Sequence, residues 1–140
     1  MASLLLGIDI GTTAAKAVLV TPEGQVVSEG RSQYPTDHVA ANWVEQSPED
    51  WWRALCAATH EAMSKVTATK ILGVAISSQA PTLLAVDSQG QPLRPAMIWM
   101  DRRAQAEAEE LAAKFPNIAE LTGNRADPFY VAAKVLWFIR

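Results

Sequence analysis

The sequence predicts an α/β fold: a mixed sheet with flanking helices. Three observations carry the α/β reading. The chain opens with three short apolar runs joined by tight turns, as in an antiparallel meander. A segment with strong helix-start signals follows. A continuous run rich in β-branched residues comes next, as expected of a strand buried on both faces.

Taken in order, Leu4 to Ile10 reads as a strand broken by Gly11-Thr12-Thr13, and Ala14 to Val20 as a second. Pro22-Glu23-Gly24-Gln25 supplies turn chemistry before a third strand, Val26 to Tyr34. From Pro35 to Gln46 the pattern lapses into a loop holding His38, Asn42 and Trp43. Ser47-Pro48-Glu49-Asp50 then starts a helix, with Ser47 placed to cap, Pro48 at the first helical position and two acids at the positive end of the dipole. That helix runs to about Val66 and puts Trp52, Leu55, Cys56, Ala62, Met63 and Val66 on one face. Ile71 to Ser77 is the buried strand, followed by shorter strands at Leu83–Asp87 and Ala96–Trp99. Asp101 is placed to cap an alanine-rich helix that Pro116 ends. A short helix around Ile118–Leu121 stops at Gly123, and a last helix begins after Asp127-Pro128.

A chain of 140 residues is enough for one domain with its own core. Twelve basic against fifteen acidic residues give a net charge of −3. That argues against a nucleic-acid or anionic-membrane surface, which needs a basic field. The apolar runs are far short of a bilayer span, and Met1-Ala2-Ser3 lacks the basic start of a signal peptide. Cys56 is the single cysteine, which excludes an internal disulfide. A cytoplasmic domain is therefore expected. The chain stops at Phe138-Ile139-Arg140, inside an apolar helix-like stretch, which is an unusual place for a domain to end.

The sharpest chemical signal is Asp9-Ile10-Gly11-Thr12-Thr13-Ala14-Ala15-Lys16. A carboxylate ends a strand, glycine permits a tight turn, two hydroxyls follow, and a cation lies three residues on. Such a turn suits phosphate oxygens, and Asp9 suits Mg²⁺, held through water. It is not a Walker loop, because the G-K-[ST] ending is missing and a strand follows. The same residues also fit a plain hairpin turn. Ser77-Ser78-Gln79-Ala80-Pro81-Thr82 leaves a strand end, where ligands of α/β sheets gather, although these are ordinary loop residues too. Trp99-Met100-Asp101-Arg102-Arg103 combines an indole, a carboxylate and guanidinium groups, which suits a polyhydroxylated ligand. It equally suits a capped, solvated first helical turn. His38 and His60 lack metal-spaced partners, Trp51, Trp52, Trp137 and Cys56 read as packing, and Glu107, Glu109 and Glu110 read as a wet helix face.

Together these segments resemble the N-terminal part of the FGGY carbohydrate kinases, xylulokinase-like members especially. The first block looks like the family's first phosphate loop. Trp43-Val44-Glu45-Gln46-Ser47-Pro48-Glu49-Asp50-Trp51-Trp52 is similar to its loop-to-helix entry, and Pro92 to Trp99 with Asp101 and Arg103 to its strand into the sugar site. Lys134-Val135-Leu136-Trp137 resembles the start of a family signature, with Val131 where Pro, Ser or Thr is usual.

The resemblance implies an actin-like, RNase H-type fold and ATP-dependent, Mg²⁺-assisted phosphorylation of a sugar or polyol hydroxyl, a pentulose such as xylulose being favoured. It implies that Asp9, Gly11, Thr12, Thr13 and Lys16 bind the nucleotide, with Asp9 near the metal. Gln79, Ala80, Pro81, Trp99, Asp101, Arg102 and Phe129 would border the substrate. At Ala80-Pro81 xylulokinases carry Met-His and glycerol kinases Arg-Glu, so the grip on a particular sugar does not carry over. The family's catalytic base lies further along a longer chain, so no catalytic residue is expected among these 140 and the parent protein, not this piece, is the expected enzyme. A glycerol- or gluconate-type kinase piece is an alternative. So is a non-catalytic sugar-binding or self-associating module, for instance a homodimer.

Overall fold

The computed structural model describes residues 3–67 and 70–140. In chain order its strands are β1 (Ser3–Ile10), β2 (Ala14–Val20), β3 (Val26–Gln33), β4 (Asp37–Ala40) and β5 (Trp43–Gln46). Helix α1 (Pro48–Ser64) precedes β6 (Lys70–Ser78) and β7 (Ala96–Met97). Helices α2 (Gln105–Lys114), α3 (Ile118–Thr122) and α4 (Val131–Phe138) complete the chain. These elements form two compact units, one made of residues up to Pro35 with Pro48–Gln79, the other of Thr36–Ser47 with Ala80–Arg140.

The first unit is a four-stranded mixed sheet in the order β3-β2-β1-β6. The opening meander is antiparallel, and β6 returns parallel to β1 after α1, as the mixed-sheet reading requires. Alternation decides the faces. Leu4, Leu6 and Ile8 of β1, with Ala15, Ala17 and Leu19 of β2, bury against Ala54, Ala58 and Ala62 of α1. Gly30 sets how close the helix comes: a Cβ there would lie 2.0 Å from the Ala58 carbonyl oxygen and 2.8 Å from the Ala62 nitrogen. Residues of the last turn of α1 and Lys65 just beyond it also close the outer edge of β3. Glu61 accepts from the Arg31 amide at 2.9 Å, Lys65 donates to the Glu29 carbonyl at 2.7 Å, and the Ser28 hydroxyl donates to the Ala62 carbonyl at 2.8 Å. An edge whose backbone is occupied in this way does not template further pairing.

Close approach explains two departures from the helical pattern. Trp52 is 66% exposed and Cys56 is exposed, because only alanines fit the face that meets Gly30; Trp51, Leu55, Met63 and Val66 flank it. The strand expected to be buried on both faces is not. In β6, Leu72, Val74 and Ile76 are 51%, 58% and 65% exposed. Helix α1 lies over β3, β2 and part of β1, and does not reach them.

The second unit has a three-stranded sheet, β4-β5-β7, and helices α2 and α4 packed through Ala104, Ala108, Ala133, Leu111 and Trp137. The stretch expected as a loop, 35–46, forms the β4–β5 hairpin. All four residues of β4 are exposed, so no burial alternation marks it in sequence. The strand expected at Leu83–Asp87 is reduced to single bridges, Leu83 to Met97 and Val86 to Pro92. Pro92 and Pro95 lack the amide donors a longer ladder needs. Asp101 does not cap α2, whose first flanking residue is Ala104. Gly123 ends α3 in the left-handed conformation, φ 73°. Among the described residues no helix is long and apolar enough to cross a membrane.

Candidate functional site

The turn from β1 to β2 is held from three sides. The Gly11 amide closes it on the Ala14 carbonyl at 3.1 Å, so this glycine contributes shape rather than a donor to a ligand. The Tyr34 amide reaches the Thr13 carbonyl at 3.3 Å, and the Tyr34 hydroxyl donates to the Gly11 carbonyl. Burial, aided by the charge of Asp9, pushes the Tyr34 phenol up to about 12, so it stays a donor throughout the physiological range. Asp9 stands at the end of β1 directly opposite Lys16 of β2. Thr13 is exposed at the tip. Gln79, expected beside the substrate, donates its amide to the Ile10 carbonyl at 2.8 Å, which fixes it against the strand that carries the turn. Asp9, Lys16, Arg31 and Ser77 line a cavity of about 840 Å³.

These donors fit a magnesium-bound polyphosphate in kind. The Asp9 carboxylate has no hydrogen-bond or ion-pair partner among the described residues, and a hydroxyl and an ammonium lie on the same hairpin. A Cβ on Gly11 would come within 3.5 Å of the Asp9 carboxylate, so glycine keeps that oxygen accessible. No group of three or more His, Cys, Asp or Glu side chains gathers among the described residues, which excludes an all-protein metal cage there.

In the second unit the segment after β7 carries Trp99, Asp101, Arg102 and Arg103. Asp101 is completely buried and its oxygens are engaged: Oδ2 accepts from the Val44 amide at 2.7 Å and from Arg103 at 2.6 Å. The Arg103 guanidinium is equally buried and lies 4.0 Å from the Trp43 ring centre and 5.0 Å from that of Trp137. Burial works against its charge, but Asp101 and Glu45, the latter at 2.7 Å, outweigh that and hold it protonated. Arg94 adds a second contact to Glu45 at 2.6 Å. Lys134 of α4, completely buried, donates to the Ile98 carbonyl at 2.7 Å, an oxygen that also accepts the Asp101 amide at 3.0 Å. Burial pushes the Lys134 ammonium down to about 8.

This clamp fixes the turn that presents Trp99, which meets Phe129 edge-on at 6.3 Å; Phe129 in turn meets Tyr130 at 5.0 Å. Arg102 is paired with Asp127 at 3.1 Å, and Asp127 also accepts the Phe129 amide at 2.8 Å. Although burial opposes it, that bond and Arg102 hold the Asp127 carboxyl below its ordinary range. Pro81 lines a smaller cavity of about 330 Å³ with Asp127 and Tyr130. Ala80 is exposed.

A protein-family model described as the FGGY family of carbohydrate kinases, N-terminal domain, matches residues 4–140. The chain belongs to that family. It is 33% identical over 137 residues to glycerol kinase of Saccharolobus islandicus (strain L.S.2.15 / Lassen #1), covering 96% of this chain and 27% of the relative. It is 35% identical over 143 residues to xylulose kinase of Escherichia coli (strain K12), covering 98% and 28%. Its fold matches the crystal structure of gluconate kinase from Lactobacillus acidophilus with a TM-score of 0.93 at 25% identity, over 100% of this chain and 29% of that one. The chain therefore spans just over a quarter of the length of the relatives it matches.

Within this FGGY N-terminal domain, the structure places Asp9, Gly11, Thr12, Thr13, Lys16 and Gln79 around one strand end. In the other unit it brings Trp99, Phe129 and Arg102 together around Asp127. Sequence reasoning missed Tyr34, whose only signal is an aromatic at the end of an alternating run. It placed Trp43, Glu45, Arg94, Arg103, Lys134 and Trp137 in separate motif blocks and missed that they form one cluster, whose members lie up to 94 positions apart. Glu107, expected on a wet face, is buried, and its nearest cation is Arg140 at 3.8 Å.

Proposed function

We propose that this chain is the N-terminal part of a cytoplasmic, ATP-dependent sugar or polyol kinase and that its β1–β2 turn receives the nucleotide phosphates. In this reading Thr12, Thr13 and Lys16 hold phosphate oxygens, Gly11 shapes the turn, and Asp9 holds Mg²⁺ through water. The observation that carries it is the hairpin itself: Asp9 and Lys16 face each other at the end of β1, with the turn pinned by Tyr34. Bound magnesium would neutralise phosphate charge, while the chain's own residues position the nucleotide.

On the acceptor side, Trp99 and Phe129 offer aromatic faces to the C–H surface of a sugar. Ala80, Pro81, Asp101 and Arg102 complete that border, Asp101 acting by holding Arg103 and the backbone of Val44 in place, and Gln79 of the first unit is a further proposed substrate residue. A pentulose such as xylulose is the favoured substrate, glycerol and gluconate being the alternatives. Ala80 and Pro81 supply no side-chain hydrogen bond to choose between them. No base is assigned: Asp127 is committed to Arg102 and Arg125, and Glu107 is buried beside Arg140.

Calorimetric titration of the purified 140-residue chain with Mg·ATP, D-xylulose, glycerol and gluconate tests this. Mg·ATP binding that Lys16→Met and Asp9→Asn weaken is expected, together with sugar binding that Trp99→Ala weakens and no turnover. Absence of nucleotide binding, or binding indifferent to Lys16 and Asp9, sinks the reading. A second reading, self-association, is favoured by the exposed Leu72, Val74 and Ile76 of β6, and light scattering without ligand separates it.

A further inference from the structure

Four side chains form one row across the four-stranded sheet: Arg31 of β3 opposite Lys16 of β2, Lys16 opposite Asp9 of β1, and Asp9 beside Ser77 of β6. Their neighbours along the strands, among them Ala15, Ala17, Ile8 and Gly30, are buried on the α1 side. Alternation therefore turns the row to the other face, and all four residues line the 840 Å³ cavity.

The Lys16–Arg31 pair is the anomaly. Like charges directly opposite on antiparallel strands repel, and a sheet gains nothing from them. Among the described residues neither side chain has a hydrogen bond or ion pair that would offset this. Asp9, opposite Lys16, balances one cation of the two. The other acids lining the cavity are Glu29 and Glu61, and Glu61 is already engaged by Lys65 at 2.8 Å and by the Arg31 amide. The Arg31 guanidinium is left without a partner at the far end of the row.

We infer that Arg31 is a phosphate-binding residue that extends the site beyond the β1–β2 turn, so that Arg31 and Lys16 together hold the polyphosphate of the nucleotide. This rests on the phosphate reading of the turn given above. A guanidinium is suited to the task, since its fork matches two phosphate oxygens and it gives up its water more readily than an ammonium. An anion between the two cations turns their repulsion into a shared contact.

The test titrates the full chain with Mg·ATP and, separately, with inorganic tripolyphosphate. Arg31→Gln is expected to weaken both by roughly 10- to 100-fold, the range of a lost charge-assisted hydrogen bond, and to make binding less salt-dependent. Arg31→Lys is expected to recover part of the loss. Urea midpoints confirm folding, because the Arg31 side chain makes no hydrogen bond or ion pair among the described residues and its amide bond to Glu61 survives. Binding unchanged in Arg31→Gln while Lys16→Met weakens it overturns this inference alone and leaves the guanidinium as protection of the β3 edge. Binding indifferent to both, or none in the wild type, overturns the phosphate reading with it. An equal loss in Arg53→Gln, on the exposed side of α1, reduces the effect to net charge and also overturns the assignment.

Discussion

Alanine at position 30 puts one methyl group where α1 lies. The backbone there has no positive φ, so alanine itself is unstrained, and in a strand it would ordinarily be neutral or slightly stabilising. The clash decides the sign. The added Cβ would sit 2.0 Å from the Ala58 carbonyl oxygen, 2.8 Å from the Ala62 nitrogen and 2.9 Å from the Glu61 Cβ. Two of these three are backbone atoms, which no rotamer change can move, so the helix must retreat by about the deficit from an ordinary ~3.5 Å contact. A retreat of more than about 1 Å separates Ala54, Ala58 and Ala62 from the sheet and stretches the Ser28–Ala62 bond. Overpacking of this kind costs about 1–3 kcal/mol, and a rigid partner puts Gly30→Ala at or above the upper end. Gly73→Ala is the control, because its Cβ would meet only the end of Leu5 at 3.6 Å. Urea unfolding followed by far-ultraviolet circular dichroism should show a large fall in midpoint for Gly30→Ala at unchanged slope, and little change for Gly73→Ala. Equal stability of the two variants would refute the claim that close approach sets this interface.

Two pH predictions follow from the buried titratable groups. The folded Tyr34 phenol lies at about 12 against an ordinary 10.0, so its contribution is full below pH 10 and is lost between about pH 10 and 12; Tyr34→Phe should flatten that decline and cost roughly 1 kcal/mol at neutral pH. Lys134 is shifted the other way, to about 8 from 10.5, so the unfolded chain holds a proton that the folded chain releases, and stability should rise between about pH 8 and 10 by up to roughly 3 kcal/mol. Lys134→Met should abolish that rise, and a rise that persists in the variant would assign it elsewhere; urea midpoints across this range measure both effects.

Periodicity and turn chemistry made much of the first unit legible in sequence. The three-strand meander, the start of α1 at Pro48 and the helix stop at Gly123 all follow from local rules: alternation, an N-terminal proline with acids, and a glycine free to adopt positive φ. The β1–β2 turn was legible for the same reason, since its residues are contiguous. Where local pattern was a poor guide, neighbours distant in sequence had decided the outcome. Trp52 looks like core on a helical wheel, yet only alanine fits against Gly30. Leu72, Val74 and Ile76 read as a doubly buried strand, but burial depends on how far α1 extends over the sheet.

The same division runs through the candidate site. By itself the sequence determined that Asp9, Gly11, Thr12, Thr13 and Lys16 share one turn, that Trp99, Asp101 and Arg102 leave one strand together, and that the chain resembles the FGGY family. Contiguous residues are held together by covalent geometry, so their chemistry survives being read as a string. Only the tertiary structure decided that Asp101 is buried under Arg103 and Val44, that Tyr34 pins Gly11, and that Arg31 stands opposite Lys16. Those facts depend on strand register, on desolvation and on guanidinium–indole stacking between residues up to 94 positions apart, Trp43 and Trp137 being the outermost. No local propensity encodes such distances. They exist only once the sheet has paired and the helices have packed.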